Sequence, residues 1–249
     1  MTHSTDLKAI WWAGVGAVQG KTSVSNAILN QKIVRPDYVI SVGKAAASMA
    51  AAAHACYGGV PTLIVTKYGH SSDAPAHAEI IEAAHPVPDQ ASLTAGQTVT
   101  QAVANCPKGS HLLFLVSGGA SSLVEVLPNH MALQDLAAKT QKLLASGQDI
   151  HAMNTLRKEV SLIKGGKLLA SFKGAKVTTL VISDVEGDDL NVIGSGIGAA
   201  PDAHSFEFAS YIVASNHIAR RAVVATLDQP PLTNTENLYE NVETLAPKI

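Results

Sequence analysis

Aromatic residues are scarce in this chain, at 4% of 249 residues, and cysteine is represented only by Cys56 and Cys106. Two isolated cysteines form no metal-ligand spacing, so a reduced, cytoplasmic setting is expected. Charge of one sign is also lacking. The 18 basic and 20 acidic residues leave a net charge of -2, which provides no field to gather nucleic acid. The ten histidines are scattered. No apolar run approaches the roughly 18 residues of a membrane span, so no membrane partner is expected. The start, "MTHSTDLKAI", lacks a basic segment followed by an apolar run and a cleavage site, which predicts no signal peptide. Neither internal repeats nor low-complexity segments occur.

What the chain does have is 47% apolar and 15% charged residues, with abundant Ala, Gly and Val. This is a globular composition, long enough for a sizeable core, and small residues suit helices packed tightly on a sheet. Apolar β-branched runs alternate with helical patterns. Strands are expected over residues 37–43, 62–69, 79–84, 111–119, 176–185 and 211–216. Helices are expected over 44–58, 93–106, 133–147, 149–163 and 217–227. Pro-punctuated residues 85–92 form a turn, with Asp89 or Ser92 as a helix cap. The unbroken run "HLLFLV" predicts a strand buried on both faces. The pattern predicts an α/β fold: a Rossmann-like, three-layer α/β/α sandwich with a mainly parallel sheet. One domain is expected over 1–249, with 227–249 as an irregular tail.

The stretch "WWAGVGAVQGKTSVSNAI" resembles a nucleotide-binding loop but fails the count. A Walker loop needs G-x-x-x-x-G-K-[ST], and the first glycine would fall on Val15. The G-x-G-x-x-G dinucleotide pattern fails because Gln19 stands at its third glycine. The longer spacing Gly14, Gly16, Gly20 fits, but no strand precedes it. The stretch reads as a small-residue helix.

Better anion-binding candidates lie at the strand ends, where ligands of open α/β sheets sit. After the first strand, Gly43 permits a tight turn and Lys44 falls where the next helix starts. A cation there opposes the helix dipole, and a bound anion would relieve the conflict; a solvated lysine on a turn is the alternative. In "LVSGGASSL", Ser117, Gly118, Gly119, Ser121 and Ser122 offer N–H groups and hydroxyls with little bulk, suiting a phosphate nest or an ordinary Gly-rich turn. In "VISDVEGDDLNVIGSG", Asp184, Asp188 and Asp189 supply hard oxygens suited to Mg2+ or to capping of turns. In "NTLRKEVSLIKGGKLLA", Asn154, Arg157, Ser161 and Lys164 share one face if the whole stretch is helical. That face suits a carboxylate or phosphate.

These segments resemble, in order and spacing, the N-terminal domain of the class II glycerate 2-kinases, whose second domain is called MOFRL. The resemblance is carried by "SVGKAAASMA", "VTKYGH", "AHPVPDQAS", "LVSGGASSL", "NTLRKEVSLIKGGKLLA", "VISDVEGDDLNVIGSG" and "APD", and covers about residues 12–223. It implies an ATP-dependent phosphotransferase acting on D-glycerate, at the 2-hydroxyl, or on a similar small sugar acid. By that resemblance Lys44 is the active-site lysine that neutralises the transferring phosphoryl group. Ser117 to Ser122, with Gly43 before them, cradle phosphate. Asn154, Arg157 and Lys164 face the glycerate carboxylate. Asp184 and Asp188 are candidates for Mg2+, and Asp189 for activating the hydroxyl. His70 and His85 lie in family motifs as structural hydrogen-bonders, with His85 placed to line the cleft.

Departures from the family pattern define further expectations. Ala120 replaces the third glycine of Gly-Gly-Gly-Ser, which strains the turn if that position needs a positive φ. Ser195-Gly196-Ile197-Gly198 replaces Ser-Gly-Pro-Thr. The sequence ends at Ile249, ahead of the family's second domain, so a homodimer partner or a separate chain is expected to supply that wall, as in a split enzyme. The alternative functions are a catalytically inactive anion- or nucleotide-binding module of the same family, or an NAD(P)-dependent hydroxypyruvate reductase. The failed dinucleotide fingerprint gives the last no support.

Overall fold

Apolar runs flanked by Gly, Pro and polar residues become the strands of one sheet. In the computed structural model, which describes residues 3–145 and 150–227, the strands are β1 (Tyr38–Val42), β2 (Thr62–Lys67), β3 (Glu79–Ala83), β4 (His111–Val116), β5 (Lys176–Ile182) and β6 (Glu207–Ala214). Their order is β3-β2-β1-β4-β5-β6 and every pairing is parallel. This is the doubly wound order, with the chain reversing direction across the sheet between β1 and β4. The helices are α1 (His3–Val18), α2 (Gly20–Asn30), α3 (Ala46–Tyr57), α4 (Gln90–Ala104), the short α5 (Ala120–Leu123), α6 (Leu133–Ala145), α7 (Ile150–Val160) and α8 (Asn216–Val224).

Two compact units are distinguished: Val18–Ser215, which contains the whole sheet, and the described residues of Met1–Ala17 with Asn216–Ile249. In the smaller unit, Gly14 of α1 leaves room for Val223 of α8, whose Cγ2 would stand 2.9 Å from a Cβ at that position.

Within the larger unit, strand alternation sends side chains to two cores. Ile40, Val42, Leu112, Phe114 and Val116 pack with Ala95, Val99 and Val103 of α4. Val39, Leu113 and Leu115 pack with Val24 and Ile28 of α2 and Met49, Ala52 and Ala53 of α3. β4 is buried along its whole length, as its unbroken apolar run predicts. Each such Leu or Phe contributes about 1.5–3 kcal/mol on burial.

The elements differ from expectation where local chemistry overrides pattern. The helix read through residues 11–28 is two helices, broken at Gln19, whose backbone is extended. Gly20 opens α2, where an added Cβ would strike Ser48 and Met49 of α3. The Gly20-Lys21-Thr22 triplet therefore serves helix packing and forms no phosphate loop. β6 begins at Glu207, earlier than expected, because Glu207 and Phe208 pair with Lys176 and Val177. Asp89 caps α4 in a reciprocal box with Ser92. Beyond Leu227 the expected tail lies outside the described residues, as do residues 146–149 between α6 and α7. Among the described residues no helix is long and apolar enough to cross a membrane.

Candidate functional site

The carboxyl ends of β1 and β4 are tied together at the point where the strand order reverses. Ser117 N–H donates to the Val42 carbonyl at 2.9 Å, and Lys44 N–H donates to the Gly118 carbonyl at 2.9 Å. Gly43 has φ +128, and a Cβ there would collide with Ser117. A side chain at this position would both strain the turn and push the two loops apart.

The serine-glycine turn after β4 is largely occupied by its own bonding. Ser117 Oγ accepts from Ala45 N–H at 3.1 Å. Ala120 and Ser122 N–H groups donate to the Ser117 and Gly119 carbonyls. Gly119 adopts the left-handed conformation at φ 88. Ala120 does not: it opens α5 and is fully buried, so the strain expected of an alanine there does not arise. Gly118 has the Asp184 carboxylate against its Cα, where a Cβ would clash with it.

Beside this turn lies a cavity of about 330 Å³, lined by His85, Pro86, Gly119, Ser121, Ser122, Asn154, Arg157, Asp184, Val185 and Gly194. The exposed Lys44 runs along its edge. A Cβ at Gly119 would stand 3.1 Å from Lys44 Cγ and 2.9 Å from His85 Cδ2. His85 registers the local charge. Burial lowers its pKa, Lys44, Lys67 and Arg157 lower it further, and Asp184 opposes them. Lys44, Lys67 and Arg157 thus surround this imidazole with positive charge, against the one carboxylate of Asp184.

Of the residues singled out from sequence, Gly119, Ser121, Ser122, Asn154, Arg157 and Asp184 meet at this cavity, with Lys44, Gly43 and Gly118 adjoining. Ser117 turns inward to the start of α3. The single helical stripe expected for Asn154, Arg157, Ser161 and Lys164 does not form, because α7 ends at Val160. Ser161 and Lys164 are buried and do not line the cavity. Lys164 forms a buried ion pair with Glu125, and Ser161 Oγ donates to the same carboxylate at 2.5 Å. Burial pushes the Lys164 ammonium below its usual pKa, while Glu125 pulls it back up. Burial likewise lowers the Arg157 pKa, against the pull of Glu125.

The three aspartates do not gather. Asp188 sits at φ 52 in a tight turn. The exposed Asp189 accepts from Asn191 N–H at 2.8 Å and from its amide at 3.2 Å. Neither lines the cavity. Among the described residues no three His, Cys, Asp or Glu side chains converge as a metal cluster.

Two residues important to the site were missed from sequence. Glu125 is a lone acid in the apolar run "SSLVEVLP", and an acid so placed needs a buried partner. Ser195 joins Ser121 and Asn154; its signal was the Gly-Ser-Gly triplet at 194–196, which marks an unusual backbone.

Comparison with known proteins places the chain in a family. A family model described as a domain of unknown function, DUF4147, matches residues 6–228. A protein of Agrobacterium vitis named provisionally as a hydroxypyruvate reductase is 39% identical over 231 residues, covering 90% of this chain and 52% of that one. The D-glycerate 2-kinase of Thermotoga maritima is 39% identical over 215 residues, covering 82% of this chain and 51% of that one. The crystal structure of a glycerate kinase from Thermotoga maritima aligns with a TM-score of 0.80 at 29% identity, covering 90% of this chain and 62% of the other. The chain spans about half the length of these two curated relatives. It belongs to the DUF4147 family, the domain it shares with the glycerate 2-kinases.

Proposed function

We propose that the cavity supports ATP-dependent phosphoryl transfer to D-glycerate or a similar small sugar acid. The observation that carries this reading is the convergence of Lys44, Arg157, Asp184 and the Gly118–Gly119 turn on one hollow at the strand-order reversal. Phosphoryl transfer needs positioning and charge neutralisation more than covalent help, and these groups are of the kinds it needs.

In this reading Lys44 neutralises charge on the phosphoryl group as it passes between donor and acceptor. The glycine turn lets phosphate oxygens approach main-chain N–H groups that a side chain would shield. Arg157 and Asn154, one turn apart on α7, hold the sugar-acid carboxylate, with Arg157 offering its planar fork. Asp184 has hard oxygens suited to Mg2+, which is commonly held by one or two carboxylates together with substrate phosphates. When bound, Mg2+ would screen the phosphate charge. Asp189, hydrogen-bonded to Asn191 and away from the cavity, is a weaker candidate than Asp184 for contacting the reacting hydroxyl. A homodimer partner or a separate chain would complete the wall of the cavity that faces solvent.

The test is incubation of the full chain with ATP, Mg2+ and D-glycerate, with products followed by phosphorus NMR. The expected outcome is a phosphate ester on glycerate. ATP-dependent product that forms equally well after Arg157→Lys, with unchanged KM for glycerate, would remove the carboxylate role. The expected rise in KM is roughly tenfold or more, because lysine cannot make the bidentate contact. NADH consumption with hydroxypyruvate in place of phosphorylation would favour the reductase reading.

A further inference from the structure

Ser195 is not part of the cavity wall, yet both partners of its side chain are. Its Oγ donates to Asn154 Oδ1 at 2.9 Å and lies 2.8 Å from Ser121 Oγ. It is 1% exposed and sits at φ +57, between Gly194 at +57 and Gly196 at +75. The other described non-glycine residues with positive φ, Lys32 and Asp188, are on exposed or half-buried turns. A left-handed serine in a buried position is strained, and such strain persists only where the surroundings enforce it. Here they do: the Ser195 and Gly196 carbonyls accept from Gly165 and Gly166 N–H, each at 2.9 Å. Glycine would meet the backbone demand at less strain. What glycine cannot supply is the hydroxyl.

A hydroxyl has one hydrogen and two lone pairs. With its hydrogen on Asn154 Oδ1, Ser195 can only accept from Ser121, so the Ser121 hydrogen points away from the cavity. Asn154 then has its amide NH2 to offer a ligand, beside the Arg157 guanidinium. Ser121 offers lone pairs. The cavity thus presents donors on one side and an acceptor on another.

We propose that Ser195 is a positioning residue that sets this hydrogen-bond polarity, so that the cavity selects a 2-hydroxycarboxylate. The carboxylate lies at Asn154 and Arg157, and the adjacent hydroxyl donates to Ser121. The proposal rests on the sugar-acid reading of the cavity and deepens it.

The experiment compares Ser195→Ala and Ser195→Gly in the full chain. It measures kcat and KM for D-glycerate, inhibition by 3-hydroxypropionate, which lacks the 2-hydroxyl, and thermal denaturation. Both variants are expected to raise KM for D-glycerate roughly tenfold, the scale of one hydrogen bond to a charged or well-oriented group. Affinity for 3-hydroxypropionate changes less. Ser195→Gly melts above Ser195→Ala, because it relieves the left-handed strain, and yet it shows the same KM defect. A wild-type KM in Ser195→Gly, or a defect that scales with melting temperature across the two variants, overturns the proposal. If the wild type forms no phosphorylated product, the kinase reading fails by itself. Crystal structures of the wild type and Ser195→Gly then decide: reoriented Ser121 and Asn154 side chains uphold the positioning role, and unchanged ones refute it.

Discussion

Lys164 and Glu125 meet as an ion pair with 1% and 0% of their side chains exposed, and Glu125 also acts electrostatically on Arg157. Ser161 completes the arrangement by donating to the same carboxylate. Removing one partner from such a pair leaves a buried charge and costs about 3–5 kcal/mol. Lys164→Met and Glu125→Leu are each expected to destabilise on that scale in urea denaturation, and the double variant is expected to recover most of the loss. If Lys164 contacted substrate directly instead, Lys164→Met would change KM and leave stability intact.

Two glycines of the site separate strain from obstruction. Gly43→Ala meets main-chain atoms of Ser117 and places alanine at φ +128, so it is expected to lower stability by about 1–3 kcal/mol or more. The three atoms nearest to a Cβ at Gly118 all belong to the carboxylate of Asp184, an exposed side chain that can swing away. Gly118→Ala is expected to fold normally and to lose activity. Denaturation midpoints and phosphorylation rates for the two variants distinguish these outcomes.

The fold was legible because each strand is an apolar run bounded by turn residues, and burial on both faces of β4 follows from "HLLFLV". The break at Gln19 was not legible, since helical residues flank it on both sides. Gly119, Ser121 and Arg157, singled out from a strand-end turn and a polar helix face, do come together at one cavity. Lys164 could not be assigned correctly, because the stripe argument assumes that the helix continues. α7 stops at Val160, and the buried acid that claims Lys164 comes from a segment 39 residues away. Ser195 escaped because its role depends on backbone conformation and on partners distant in sequence.

Acid should destabilise the protein through His111. Its Nε2 bonds Thr178 Oγ1 at 2.9 Å, and its Nδ1 is buried without a partner among the described residues. Burial lowers its pKa from 6.5, with Lys176 adding to the effect and Asp37 and Glu207 opposing it. Below about pH 6.5 the unfolded chain takes up a proton that the folded chain does not, so stability falls with pH until the lower folded value is passed. The loss is about 1.4 kcal/mol for each pKa unit between the two states. His111→Gln should flatten the difference in denaturation free energy between pH 7.5 and pH 5; an unchanged slope would assign the effect to other groups.

The most direct measurement is ATP- and Mg2+-dependent phosphorylation of D-glycerate by the full chain, with Lys44→Ala beside the wild type. Lys44 is exposed, so the variant should melt with the wild type. Its rate should fall by about 10²–10³, the loss typical of removing one group that stabilises transition-state charge. Turnover in Lys44→Ala equal to that of the wild type would contradict the account.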